Sequence, residues 1–98
     1  SIGNLVSMGQ NVTIGRGSTI WHETNMGDGV TIGEYSTLRG GNYVGNNVNI
    51  GNEVTIGVNV DIGDHVKIGD HAIVTDCSFI PPGTIIPEGT VYTNKLSL

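Results

Sequence analysis

Residues 47–63 read NVNIGNEVTIGVNVDIG, and in this stretch the pair Ile-Gly recurs every six residues, at Ile50, Ile56 and Ile62. A Val lies two residues before each of these isoleucines. A period of six is neither the 3.6-residue period of an α-helix nor the simple alternation of a strand. A fixed period is typical of repeat architectures, in which each repeat buries its apolar face against its neighbours.

The six-residue repeat runs through the whole sequence. Steps of six from Ile2 to Leu98 give 17 residues, of which 16 are Ile, Leu, Val or Met and one is Tyr92. These residues define position one of each hexad. Position two is Gly in ten of 16 hexads, position four is Gly or Asn in eight, and position five is Val, Ser, Thr or Ala in 14. The register is never interrupted, so the sequence predicts one domain, residues 1–98, with no loop inserted between hexads.

Each hexad has the pattern of a short strand followed by a corner. Positions five, six, one and two alternate between the inside and the outside, as successive residues of a strand do. Gly and Asn at position four indicate a corner with positive φ, which these residues tolerate best. Three edges close a triangle, so one coil takes 18 residues. The sequence therefore predicts an all-β parallel β-helix, a triangular solenoid of about five coils.

Composition argues against several classes of partner. The 98 residues include nine acidic ones and four basic ones, Arg16, Arg39, Lys67 and Lys95, for a net charge of −5. Nucleic acids and anionic membranes select basic surfaces, so neither is expected as a partner. The single Cys77, and the lack of a signal peptide or transmembrane pattern, predict a cytoplasmic location.

The hexad pattern resembles the signature [LIV]-[GAED]-x-x-[STAV]-x of the hexapeptide-repeat family, and the resemblance covers residues 2–98. This resemblance implies a left-handed β-helix. The hand is taken from the family alone, because a period does not fix it and ordinary crossover connections are right-handed. The resemblance also implies an acyltransferase that uses acetyl-CoA on a sugar or nucleotide sugar and assembles as a homotrimer.

One column of hexads departs from the repeat. Residues 18 apart stack on neighbouring coils, and the column that begins at Ile2 contains four of the six exceptions to Gly at position two and the polar inward residue Asn42. The four exceptions are Trp21, Arg39, Thr75 and Thr93. This stacking places residues 21–23 one coil from residues 39–41. Because Gly40 and Gly41 have no side chains, the sequence predicts a shallow depression here.

The candidate site follows from these residues. His22 beside Glu23 is the type of pair that acts as a general base towards a hydroxyl or an amine. Arg39 is expected to bind an anionic group, and Trp21 is expected to offer a stacking surface and to lie within cation–π range of Arg39. Tyr43 and Asp76 are expected to flank this region. The alternative is a surface Trp–Arg stack beside a solvated His-Glu corner.

Two further segments resemble acyltransferases. Val74-Thr75-Asp76, followed by Pro81-Pro82, is similar to the closing coil of hexapeptide acyltransferases, where the segment lines the acyl-CoA groove. Ile20-Trp21-His22 is similar to an early coil of nucleotide-sugar N-acetyltransferases. The resemblance therefore implies that Asp76, Pro81 and Pro82 contact the cofactor. The structural alternative is that the prolines blunt the end of the β-helix, since they lack an N–H donor.

Two other functions stay open. Unbroken coils and few basic residues favour a non-catalytic structural module, either trimeric or part of a longer fibre. The γ-class carbonic anhydrases share the fold and bind zinc with three histidines across a subunit boundary. However, His65 and His71 fall on different corners, and Leu38-Arg39-Gly40-Gly41 matches that family's Leu-Arg-Gly-Asp only in part. No metal is expected.

Position six becomes apolar in the last coils. Earlier coils place mostly Ser, Thr or Asn at this outward position, whereas the last coils place Ile73, Phe79, Ile85 and Val91 there. Such a band predicts cover by another surface. Contact between subunits is the preferred interpretation, and cover by the C-terminal segment 94–98 is the alternative.

Overall fold

A computed structural model describes residues 2–94, which form a parallel β-solenoid of 15 two-residue strands. No helix occurs in this range, so these residues contain no helix that could cross a membrane. The repeat residues Leu96 and Leu98 and most of the segment 94–98 lie outside the described residues. The strands are β1 (Ser7–Met8), β2 (Thr13–Ile14), β3 (Thr19–Ile20), β4 (Asn25–Met26), β5 (Thr31–Ile32), β6 (Thr37–Leu38), β7 (Tyr43–Val44), β8 (Asn49–Ile50), β9 (Thr55–Ile56), β10 (Asp61–Ile62), β11 (Lys67–Ile68), β12 (Ile73–Val74), β13 (Phe79–Ile80), β14 (Ile85–Ile86) and β15 (Val91–Tyr92).

The strands form three five-stranded sheets, which confirms the 18-residue coil. The first sheet has the order β1-β4-β7-β10-β13, the second β2-β5-β8-β11-β14, and the third β3-β6-β9-β12-β15. Every pairing is parallel and joins residues 18 apart, as in Leu38 with Ile56. Three strands therefore make one coil, and 15 strands make about five coils.

The core is a column of position-one side chains along the solenoid axis. Ile20, Leu38 and Ile56 are fully buried, while position six faces outward. From residue 18 to residue 78, position five is also buried, and it includes the polar residues Ser18, Thr24, Ser36, Asn42 and Ser78. The Asn42 Oδ1 accepts the Val60 N–H at 2.9 Å, but its Nδ2 has no hydrogen-bond partner among residues 2–94. The predicted alternation of inward and outward residues is confirmed.

The corners have the predicted positive φ, but residue choice at position four is broader than the sequence suggested. Fifteen position-four residues from Leu5 to Gly89 have positive φ, and five of them are glycines. The ten others have φ between 56° and 64° and include Leu, Glu, Tyr, His and Cys as well as Asn. For an L-residue other than glycine this conformation costs roughly 1–2 kcal/mol. The hydrogen bonds between coils hold the corner in place despite that cost.

A second set of bonds, which we call the position-three ladder, joins the corners of successive coils. The main-chain N–H at position three donates to the side chain at position three of the next coil, at 2.8–2.9 Å. The acceptors are the Oδ1 atoms of Asp28, Asn46, Asn52, Asp64, Asp70 and Asp76. These short polar side chains satisfy donors that the strands do not reach.

The position-three ladder makes a direct prediction for stability. Asp64 Oδ1 accepts the Asn46 N–H at 2.8 Å. We expect Asp64→Ala to lower the free energy of unfolding by about 1 kcal/mol, because the donor loses its protein acceptor. Asp64→Asn retains an oxygen at the same place and is the control. Urea unfolding checks this, and equal losses in both variants would contradict a role for the hydrogen bond.

The last described coil ends its hydrogen bonding with specific residues. The Phe79 N–H donates to the Asn94 carbonyl oxygen at 2.9 Å, and Asn94 Nδ2 donates to the Phe79 carbonyl oxygen at 2.9 Å. Pro81 and Pro87 occupy position two, where the glycines of earlier coils donate an N–H to the next coil. Because proline has no N–H, these corners leave no such donor unpaired. This arrangement supports the structural interpretation of the prolines.

Candidate functional site

Four of the six exceptions to Gly at position two directly follow strands of the third sheet, as the 18-residue spacing predicts. A depression of about 260 Å³ lies beside this sheet, at the corner that follows its strands. We call it the Trp21 depression, and it is lined by Trp21, His22, Glu23, Arg39, Gly40, Gly41, Val58 and Asn59. The predicted depression is therefore present.

Gly40 lies one coil above Trp21 and shapes the depression. At the regular corners a Cβ at position two has no room: on Gly15 it would lie 2.6 Å from the backbone carbonyl group of Gly33. Above Trp21 the next coil has Gly40, with φ +113°. A Cβ on Gly40 would be in ordinary contact with the Trp21 Cβ at 3.4 Å and in tight contact with the His22 carbonyl oxygen at 3.1 Å. The positive φ of Gly40 disfavours any side chain there, and the missing side chain leaves space in the depression beside Trp21.

The His22 imidazole takes part in the position-three ladder. Its Nδ1 accepts the Asn4 N–H at 2.7 Å, in the place that Oδ1 of Asp or Asn occupies at the other corners. In a neutral ring whose Nδ1 is an acceptor, the proton is on Nε2. The other edge of the ring is therefore a hydrogen-bond donor rather than a base. The Trp21 and His22 rings are in an edge-to-face arrangement, with ring centroids 6.5 Å apart and an interplanar angle of 72°.

Glu23 and Arg39 line the same depression without contacting each other. Glu23 occupies position four, with φ 61°, and its N–H donates to the Asn4 carbonyl oxygen at 2.9 Å. Within residues 2–94, neither Glu23 nor Arg39 forms an ion pair. The expected cation–π contact of Trp21 with Arg39 is also absent from that range, and the indole contacts the His22 ring instead. A carboxylate and a guanidinium are thus both available to a ligand.

The other four predicted site residues lie away from the Trp21 depression. Tyr43 is exposed on β7, in the first sheet. Asp76 lies on the same corner as His22 but three coils further on, roughly 14 Å at the strand spacing of parallel coils. Its Oδ1 accepts the Val58 N–H at 2.9 Å. Pro81 and Pro82 follow β13 and lie at a different corner. The structure therefore gathers four of the eight predicted residues.

The histidines at position four do not converge. His71 Nε2 pairs with the Glu53 carboxylate on the coil below, and both side chains are exposed. His65 lies at another corner. In the described part of the chain, no group of three or more His, Cys, Asp or Glu residues is arranged to hold a metal ion.

Sequence reasoning missed a second depression at the first described coil. It has a volume of about 340 Å³ and is lined by Ile2, Gly3, Asn4, Thr19, Ile20, Trp21 and His22. Trp21 and His22 line both depressions and so form a ridge between them. The signal in the sequence is that Ile2 occupies an inward repeat position in the first described coil. In the structure this side chain is exposed.

Solved structures share this fold. A hexapeptide transferase family protein from Anaplasma phagocytophilum superposes with a TM-score of 0.67 at 18% identity, over 96% of this chain and 72% of that one. WeeI from Acinetobacter baumannii gives a TM-score of 0.69 at 23% identity, over 93% of this chain and 48% of that one. A hexapeptide-repeat-containing acetyltransferase from Vibrio cholerae gives 0.55 at 20% identity, over 90% and 68%.

Comparison with family models and with curated proteins gives no match. The structural likeness establishes the fold: the protein is a β-solenoid of six-residue repeats, as the hexads predicted, and the fold is shared with the three proteins named above. At these identities the likeness concerns the fold, and activity has to be argued from the site.

Proposed function

We propose that the protein is an acyltransferase that moves an acetyl group from acetyl-CoA to an amine or a hydroxyl of a sugar or nucleotide sugar. The observation that carries the proposal is the Trp21 depression. It interrupts an otherwise regular solenoid and brings an indole, an imidazole, a carboxylate and a guanidinium to one corner. The fold shared with acetyltransferases supports the same class of reaction.

The chemistry needs one proton acceptor and one hydrogen-bond donor. Glu23 has an exposed carboxylate without an ion-pair partner in residues 2–94, so it takes the proton from the attacking amine or hydroxyl. The attacking atom forms a bond to the thioester carbonyl carbon, and the negative charge that develops on the carbonyl oxygen is stabilised by the Nε2–H of His22. The C–S bond then breaks, CoA leaves as thiolate, and the proton from Glu23 converts it to the thiol.

Arg39 and Trp21 bind rather than react. The Arg39 guanidinium pairs with an anionic group of one substrate, which is the charge-assisted type of contact that Arg makes best. The exposed indole of Trp21 offers an apolar surface to a planar group or a sugar ring.

Exposed apolar side chains support assembly into a homotrimer with CoA between adjacent subunits. Ile73, Ile85 and Val91 point outward and are 44%, 70% and 63% exposed. Several large exposed apolar side chains in neighbouring coils are typical of a protein contact. Ile73 and Val91 are neighbours on the third sheet and Ile85 is on the second, so the proposed contact extends around one edge of the solenoid.

Titration calorimetry with acetyl-CoA, together with light scattering, tests the proposal. We expect binding in the micromolar range by a species of three subunits. A monomer that binds acetyl-CoA would contradict the trimer and keep the reaction class. The absence of binding in every oligomeric state would overturn the acyltransferase.

The second candidate is a non-catalytic structural module. The supporting observation is that 15 strands follow one another without an inserted loop from residue 7 to residue 92. In that case the Trp21 depression would be a contact surface for another macromolecule. The same calorimetric experiment separates the two candidates.

A further inference from the structure

The outer faces of the first and second sheets are flat strips with few side chains. Positions six and two face outward from every sheet, because position one between them faces the core. On the first and second sheets position two is Gly until the last coil, where Pro81 and Pro87 replace it. From position two of the third sheet, in contrast, Trp21 and Arg39 project. Of the three sheets, the first and the second are therefore the ones that another flat surface can approach closely.

The charges on these two strips are confined to one coil. Among the 15 position-six residues between residues 7 and 91, Asp61 and Lys67 are the only charged ones. Asp61 is exposed on β10 in the first sheet, and Lys67 is exposed on β11 in the second sheet. Neither side chain forms an ion pair within residues 2–94. Each of the two strips thus carries one unpaired charge, and the two charges have opposite signs.

The surroundings of Asp61 favour a cation as its partner. Its neighbours on the adjacent strands are Tyr43 on one side and Phe79 on the other. Tyr43 is 55% exposed and Phe79 is half-buried. Each neighbour lies one strand spacing from Asp61, about 4.8 Å, so a cation on the carboxylate is near enough to contact both aromatic side chains.

The second sheet carries a matching set of side chains at nearly the same heights along the solenoid axis. Consecutive strands of one coil differ in height by about a third of the strand spacing, roughly 1.6 Å. The residues level with Tyr43, Asp61 and Phe79 are Asn49, Lys67 and Ile85, in that order. A second copy that is rotated about an axis parallel to the solenoid keeps these heights. Its second sheet would therefore set a cation opposite the carboxylate and an apolar side chain opposite the Phe ring.

We propose that the first sheet of one copy binds the second sheet of another copy in parallel orientation, with Asp61 of one subunit paired with Lys67 of its neighbour. The contact extends over three levels, from Tyr43 to Phe79, and covers Ile85, which is 70% exposed. Two different surfaces meet in such a contact, so repetition closes a ring when the rotation fits. The inference rests on the homotrimer of the proposed function and names the face that receives its apolar edge. It does not depend on acyl transfer.

Light scattering of charge variants over a range of protein concentrations tests the contact. Asp61→Lys and Lys67→Asp each set like charges opposite one another, and we expect either change to raise the dissociation constant of the assembly at least about tenfold. The double variant exchanges the two charges, and we expect it to restore the assembly. Thr37→Asp is the control, because it adds a charge at position six of the third sheet and is expected to leave the mass unchanged.

The outcomes separate this inference from the proposed function. Circular dichroism of each variant first checks that the solenoid is folded, as expected for substitutions of exposed side chains. An unchanged mass in both single variants would overturn the two faces and leave a trimer that forms through other surfaces. A double variant that stays dissociated would overturn the ion pair. A protein that is monomeric without any substitution would overturn the contact and the trimer together. Failure of the assembled protein to bind acetyl-CoA would count against the acyltransferase alone.

Discussion

Replacing Ile56 with Ala is expected to lower the free energy of unfolding by about 2–5 kcal/mol. Ile56 is fully buried on β9, where it pairs with Leu38 on one side and Val74 on the other. The loss has two parts, the transfer of three methylene-sized groups from the core and the cavity that they leave. Because each coil rests on its two neighbours, a cavity at this level weakens the contact between the two halves of the solenoid.

Thr31→Ala is the control, because Thr31 is exposed on β5 and lies outside the proposed subunit contact. We expect a loss of less than about 0.5 kcal/mol for this variant. Urea unfolding followed by circular dichroism measures both variants. A small loss at Ile56 would contradict the close-packed column of position-one side chains. An equally large loss at Thr31 would show that the assay does not distinguish buried from exposed positions.

Replacing Glu23 with Gln is expected to lower turnover about 100- to 10,000-fold, the usual contribution of a positioned proton acceptor. Gln keeps the size of the side chain and removes the negative charge. Glu53→Gln is the matched control, since Glu53 is also at position four with positive φ but at another corner. The measurement is release of CoA thiol in the presence of acetyl-CoA and an amino sugar. Turnover that survives Glu23→Gln would remove Glu23 from the mechanism.

Two variants of His22 separate its structural role from its chemical role. His22→Asn offers an Oδ1 to the Asn4 N–H, as Asn46 does for Asp28, so we expect unchanged stability. It also removes the Nε2–H donor, and we expect turnover to fall about 100-fold. His22→Ala removes both groups. Full activity in the Asn variant would leave the imidazole with a structural role only.

The solenoid was predictable because every hexad shows the same six-residue pattern of residue types. Six-residue spacing gives the strand and the corner, and three corners give the 18-residue register seen between Leu38 and Ile56. Position four was only partly predictable, since Tyr35 and Cys77 also take positive φ there. Their conformation is imposed by bonds between coils, and the identity of a residue does not reveal such bonds.

The sequence predicted which residues lie near one another in the candidate site, but it did not predict how their side chains contact each other. The spacing placed Trp21 and His22 beside Arg39 and Gly40, and the structure has them around one depression. The Trp21 ring contacts His22 and not Arg39 as expected. The direction of a long side chain depends on its rotamer, which the spacing of residues does not determine. The ladder role of His22 was missed for a similar reason. It requires knowing that position three faces the backbone of the preceding coil.

The constant separation of 18 residues between paired strands has a consequence for how the protein folds. Each new coil closes a loop of the same length, so the loop-closure entropy per coil does not grow along the sequence. Folding can therefore start at any pair of coils and spread in both directions, as a zipper closes. The rate-limiting step is the first closure, because it brings two coils together before contacts with a third coil can offset its entropy cost. Adding a coil would raise stability while leaving that first barrier unchanged.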